Sequence, residues 1–218
     1  MSENSNTPKV VRPAARAPRE RGYALVALLA VMTVLMISMM AAAPSLRQQA
    51  RRERELEAIA RGEEVAEAIR NFMHLAKRPP TSMEELLEGA PVGTKKIQVL
   101  RESASRDPLS KSGEWKTIKI NDPALITFIR DLTKYTDGHP PNPTTDRDQT
   151  MATFAGQLPR VTNILDIDSG SDRSGGEDDS SNSNGPFIGV ASRSQQDSIV
   201  TYYGIDHHDG WVFTPFYR

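Results

Sequence analysis

Twenty-one consecutive residues without a charge, Tyr23 to Ala43 (YALVALLAVMTVLMISMMAAA), come directly after a basic leader, and no other feature restricts this chain as much. At about 1.5 Å of rise per residue, such a helix is roughly 31 Å long, close to the hydrocarbon core of a bilayer. Its polar members are hydroxyls: Tyr23, Thr33 and Ser38. Thr33 and Ser38 can be satisfied on the helix's own carbonyls, and the ring of Tyr23 suits a membrane boundary. Residues 1–22 carry Lys9, Arg12, Arg16, Arg19 and Arg21 against Glu3 and Glu20. Arg47, Arg51, Arg52 and Arg54 lie just beyond the run, so counting Lys and Arg favours a cytoplasmic N-terminus only slightly. The sequence therefore predicts a transmembrane helix over 23–43.

Three fates of that helix are open: an uncut anchor, a cleaved secretory signal, or a cut at the Gly22–Tyr23 junction. Ala41-Ala42-Ala43 offers the small-x-small pattern of a signal-peptidase site. Against that cut, the apolar run exceeds the usual ~7–15 residues of a signal core. Pro44 would also come directly after the bond, where its ring fits poorly.

Composition narrows the rest. The 218 residues include no cysteine, which excludes a disulfide scaffold, a zinc-thiolate site and a thiol nucleophile. A net charge of -1 excludes a generic polyanion binder, so no nucleic-acid partner is expected.

The Gly22–Tyr23 junction carries a resemblance. Arg21-Gly22-Tyr23 before a long apolar helix resembles the class III leader of type IV pilins and type II secretion pseudopilins. Pro44 falls where many pilins carry a helix-kinking proline. The stretch from Ser45 to Gly89 resembles the amphipathic half of a pilin helix running into the P-T-S-x-E-E-L passage (Pro80 to Leu86) common in pseudopilins. The pieces Arg106-Asp107-Pro108, Glu114-Trp115, Gly185 to Ser192 and Trp211-Val212-Phe213 resemble the C-terminal domain of a pseudopilin-like group. The resemblance implies cleavage after Gly22 by prepilin peptidase and N-methylation of Tyr23. It implies no enzymatic activity. One departure stands out: the family's Glu at the fifth position of the cut chain is Ala27 here, and the span holds no acid. That argues against a major, self-polymerising subunit and for a minor one, since the pseudopilin at the filament tip also lacks this Glu.

The expected fold is α+β and pilin-like: a long N-terminal transmembrane and amphipathic helix packed on a small antiparallel sheet. The expected order is leader 1–22, transmembrane helix 23–43, amphipathic helix 44–80, first part of a periplasmic α+β domain 81–136, polar insertion 137–185, and C-terminal strands 186–218. In 45–77, Leu56, Ile59, Val65, Ala66, Ile69, Phe72, Met73 and Ala76 recur at helical spacing. That stripe is expected to cover the chain's own sheet, and Arg78-Pro79-Pro80 ends the helix. Arg51 and Glu55 read as an i,i+4 surface pair worth a few tenths of a kcal/mol.

Ser82 and Glu85 form a capping box for a helix over 83–88, closed by Gly89. Lys96 to Leu100 and Trp115 to Ile120 read as strands, with Ile118 and Ile120 on one face. Asp122 before Pro123 reads as an N-cap opening a helix to about 135, with a strand as the alternative. Residues 137–185 are rich in Pro, Ser, Asp, Asn and Gly and are expected to be mostly disordered. A short apolar patch within them, Val161 to Ile167, is expected to dock. PFIGVAS, SIVTYYG and GWVFTPFY read as an antiparallel meander.

Two constellations carry candidate chemistry. Asp166, Asp168, Asp172 and Glu177 are spaced like a calcium loop, because hard cations take clustered carboxylates, but the loop glycine is misplaced. Calcium is thus the one candidate cofactor, against a solvated acidic linker. Asp206-His207-His208-Asp209 is a candidate for metal binding or acid–base work. Adjacent strand residues point to opposite faces, so a polar hairpin turn is the expected reading. Trp115 and Trp211 are expected in the core.

The functional expectation is a structural pseudopilin or minor pilin, single-pass in a bacterial inner membrane with a periplasmic domain. Its implied partners are other pilin subunits, an inner-membrane assembly platform, prepilin peptidase and membrane lipid. Small residues such as Ala24, Ala27 and Ala30 permit close helix packing there. The alternatives are an anchored or secreted binding module with an ordinary signal and, resting only on the Asp/His cluster, an anchored hydrolase.

Overall fold

The structure, a computed structural model, describes residues 23–145, 149–159 and 185–217; the side chains of 40–46 lie outside the description. The chain divides into two units, Met1–Arg47 and Gln48–Arg218. The fold is α+β with small antiparallel sheets.

Helix α1 is Tyr23–Ala76, 54 residues. In the first unit its large apolar side chains, including Leu28, Val31 and Leu35, are exposed. Its hydroxyls turn inward on the helix: Thr33 Oγ1 donates to Leu29 and Ala30 carbonyls at 2.9 Å, and Ser38 Oγ to that of Val34 at 2.8 Å. Among the described residues no helix is long and apolar enough to cross a membrane. The span expected over 23–43 continues through 40–43, whose side chains lie outside the description.

The second unit is built on the rest of α1. Ala58, Gly62, Val65, Ala66, Ile69, Phe72 and Met73 are buried at i, i+3, i+4 spacing. The stripe differs from the expected one at its start. Leu56 is 48% exposed, and the buried position in that turn is Glu55, at 0%. Lys77, at φ 56°, and the prolines Pro79 and Pro80 end the helix.

Helix α2 is Met83–Glu88, with Ser82 Oγ accepting from the Glu85 N–H at 3.3 Å. The return arm of the expected capping box reaches one residue further, since Glu85 Oε2 accepts from the Thr81 N–H at 2.8 Å. Gly89 has φ 101°, and a Cβ there would stand 2.4 Å from the Ile97 carbonyl oxygen. Only glycine lets strands β1 (Ala90–Val92) and β2 (Lys95–Ile97) begin so close to the helix end. The expected strand at 96–100 is therefore one arm of a hairpin whose first arm the sequence reading missed.

Strand β3 is Lys116–Ile118, shorter than expected. Helix α3 is Pro123–Tyr135, capped by Asp122 accepting from the Ala124 N–H at 2.9 Å. The helix prevails over the strand alternative because Leu125, Phe128, Ile129 and Leu132 form one buried stripe despite their β-branched neighbours. Helix α4, Gln149–Ala155, lies inside the stretch expected to be mostly disordered; Met151, Ala155 and Leu158 join the core.

Strands β4 (Gly189–Ala191), β5 (Asp197–Tyr202), β6 (Ile205–His207) and β7 (Val212–Phe213) replace the expected meander. The three-stranded sheet runs β3-β4-β7, and β5 and β6 form a separate hairpin. Thus β7 returns beside β4, and the hairpin between them leaves the sheet. Trp115 meets Phe213 edge-on at 5.8 Å between ring centroids, and both tryptophans are in the core as expected.

Candidate functional site

The departing β5–β6 hairpin is held to α1 by polar contacts, and these converge on Glu55. That carboxylate is fully buried at the point where the apolar stripe of α1 begins. Its Oε2 accepts from two successive backbone N–H groups, Ile199 at 2.9 Å and Val200 at 2.8 Å. Its Oε1 lies 3.2 Å from Nε2 of His208 and 3.3 Å from Nε of Arg51. Three hydrogen-bond partners and one cation on this carboxylate offset much of its desolvation. Two neighbouring N–H groups of a regular strand point opposite ways. Their convergence on one oxygen accompanies the register shift within Asp197–Tyr202. Arg51 adds a bond to the Asp197 carbonyl, and the Tyr202 hydroxyl donates to Glu63 at 2.6 Å.

His208 completes the centre. It sits in a short 3-10 helix, His208–Gly210, and is 1% exposed, with its ring 5.0 Å from that of Trp211. A carboxylate only accepts, so Nε2 carries the proton toward Glu55. Nδ1 lies 3.1 Å from Ser194 Oγ. The Ser194 N–H donates to Ser192 Oγ at 3.1 Å, and Ser192 Oγ donates to Asp107 Oδ2 at 2.7 Å. Asp107 Oδ1 accepts from the Leu109 N–H at 2.9 Å. One polar chain thus links α1, the hairpin, the loop after β4 and the 106–109 turn.

Hydroxyl, imidazole and carboxylate in sequence is the order of parts in a nucleophile–base–acid triad. Here the ring is buried under Trp211, and its nitrogens are used in the reverse sense of the usual triad, with Nε2 on the acid. In this geometry the group joins the hairpin to α1.

The expected Asp206–Asp209 turn takes a different form. The hairpin turns at Tyr203-Gly204, and Asp206–Asp209 runs from the end of β6 into the 3-10 helix. His207 ends β6 and His208 begins the 3-10 helix, and the two rings meet different side chains. His207 lies 3.3 Å from Asp206 and 3.9 Å from Asp209. Among the described residues no three His or acidic side chains are grouped to hold a metal. Asp166, Asp168, Asp172, Glu177 and Gly22 lie outside the described residues; Tyr23 begins α1 and is 79% exposed.

Sequence reasoning missed Glu55, Asp107, Ser192 and Ser194. The available signal was an acid three residues before Ala58 and seven before Gly62, on the apolar stripe itself.

Two partly exposed ion pairs lie elsewhere in the domain. Arg101 grips Glu64 with Nε and Nη2, both at 2.6 Å, and this hydrogen bonding holds the Glu64 carboxyl below its ordinary range. Arg78 does the same to Glu85, helped by the Thr81 N–H and hydroxyl.

No family model, curated protein or solved structure matches this chain.

Proposed function

We propose that this chain is a structural, non-enzymatic subunit of pilin type: a pseudopilin or minor pilin of a type II secretion or type IV pilus machine, cut after Gly22. The observation that carries the reading is α1. One helical element exposes large apolar side chains over Tyr23–Met39 and covers the core of an α+β domain from Ala58 onward. Exposed apolar surface on that scale calls for cover by lipid or by neighbouring helices. The basic leader ending at Gly22 supplies the processing site. Ala27 in place of the family's Glu supports a minor position. The domain stands in the periplasm, and its partners are other subunits, the assembly platform and membrane lipid.

The test is the mature N-terminus, from intact mass and N-terminal peptide sequencing of membrane-purified protein. The proposal expects a chain beginning at Tyr23 and about 14 Da heavier through methylation. A chain beginning at Pro44 or Met1 overturns it and leaves a secreted or anchored binding module.

A further inference from the structure

A cleft of about 560 Å³ opens between the end of α1, the strand end after β3 and the segment before β4. Ile120, Phe154, Pro186 and Ile188 form its apolar part, and Arg78 and Lys119 bring cationic groups to it. The size is that of a site for a small ligand or a few side chains.

Residues from the chain on either side of the stretch 160–184 line this cleft, Phe154 before it and Pro186 after it. Phe154 lines it five residues before Pro159, the last described residue ahead of that stretch. On the far side, the Gly185 N–H donates to the Thr81 carbonyl at 3.3 Å and the Phe187 N–H to that of Pro80 at 3.0 Å. Gly185 also lies against the Lys119 side chain. The large apolar residues of 160–184 are Val161, Ile164, Leu165 and Ile167, all close to Pro159, and Asp166 and Asp168 are interleaved with them. From Pro159 to Leu165 the chain extends at most about 20 Å, enough to return to a cleft that Phe154 already lines.

We propose that the cleft is the docking site of the chain's own segment Val161–Asp168, aliphatic side chains inward and Asp166 and Asp168 toward Arg78 and Lys119. The tether favours this occupant over any free one. A short flexible link gives an effective concentration of about 1 mM, so even a contact of about 0.1 mM affinity is mostly closed. This inference does not rest on the filament reading.

The experiment uses the full chain in detergent and a fluorescein-labelled peptide of residues 160–169. Wild type is compared with a variant carrying Val161→Ser, Ile164→Ser, Leu165→Ser and Ile167→Ser, which leaves the described core untouched. The variant is expected to bind the peptide about tenfold more tightly than wild type, because its own segment no longer competes. Adding Lys119→Glu to the variant is expected to weaken that binding severalfold. Equal affinity in wild type and variant overturns the proposal and marks the cleft as open to another molecule. No binding to either also overturns it.

Discussion

Gly62 of α1 lies face to face with Phe213 of β7: a Cβ added to Gly62 would stand 2.3 to 2.5 Å from three ring carbons. Glycine inside a helix costs about 0.5–1 kcal/mol relative to alanine. Here it lets the helix approach the sheet by the depth of a methyl group. Phe213, in turn, touches Trp115 and Tyr202, so those two rings are placed through that approach.

Gly62→Ala should therefore destabilise the domain by about 1–3 kcal/mol through overpacking, despite its better helix propensity. Phe213→Leu in the same chain should recover part of that loss. The check is a double-mutant cycle by urea unfolding; additive losses would break the proposed contact.

Removing the buried acid should be more damaging. Glu55→Ala leaves two backbone N–H groups and His208 without their acceptor, a loss of about 1–3 kcal/mol for each donor left buried and unsatisfied. Amide hydrogen exchange should rise first at Ile199 and Val200, before the β3-β4-β7 sheet is affected. Uniform loss of protection would show that Glu55 is not a local fastener.

Asp107 joins the same polar chain from the opposite side. Asp107→Ala strands the Ser192 hydroxyl and the Leu109 N–H in a buried site, a loss of about 1–3 kcal/mol. Asp107→Asn keeps an acceptor for Leu109, and the Ser192 hydroxyl can rotate to accept from the new amide, so it should lose less. Melting temperatures of the two variants check this order.

Glu64 and Glu85 contribute to acid sensitivity. Both carboxyls are held below their ordinary range in the folded state, chiefly by hydrogen bonds from Arg101 and Arg78. The folded protein therefore releases these protons more readily than the unfolded chain. The resulting stability is complete above the ordinary carboxylate range and is lost as pH falls through the lowered values. Glu64→Gln and Glu85→Gln should each flatten the decline of the urea midpoint below about pH 5. Both pairs are partly exposed, so 1 M salt should reduce the slope of the wild type as well.

Much of the local structure was legible in the residues themselves. Ser82 with Glu85, Gly89, and Asp122 with Pro123 place α2 and α3 within a residue of where they stand, because caps and turn glycines act over a few positions. The site was less legible. Glu55 reads as one member of an ordinary surface pair with Arg51, and His208 as part of a polar turn. Their meaning depends on a contact across 153 positions.

The sequence alone determined that an apolar stretch of helix comes after a basic segment, that a charged amphipathic helix continues it, and that short β-rich segments lie towards the C-terminal end. Those are consequences of local composition and period. Tertiary structure alone decided that β7 pairs with β4, that the β5–β6 hairpin leaves the sheet, and that a buried carboxylate fastens it to α1. Strand partners and burial are set by long-range packing, and a single glycine facing a phenylalanine fixes how near the layers come.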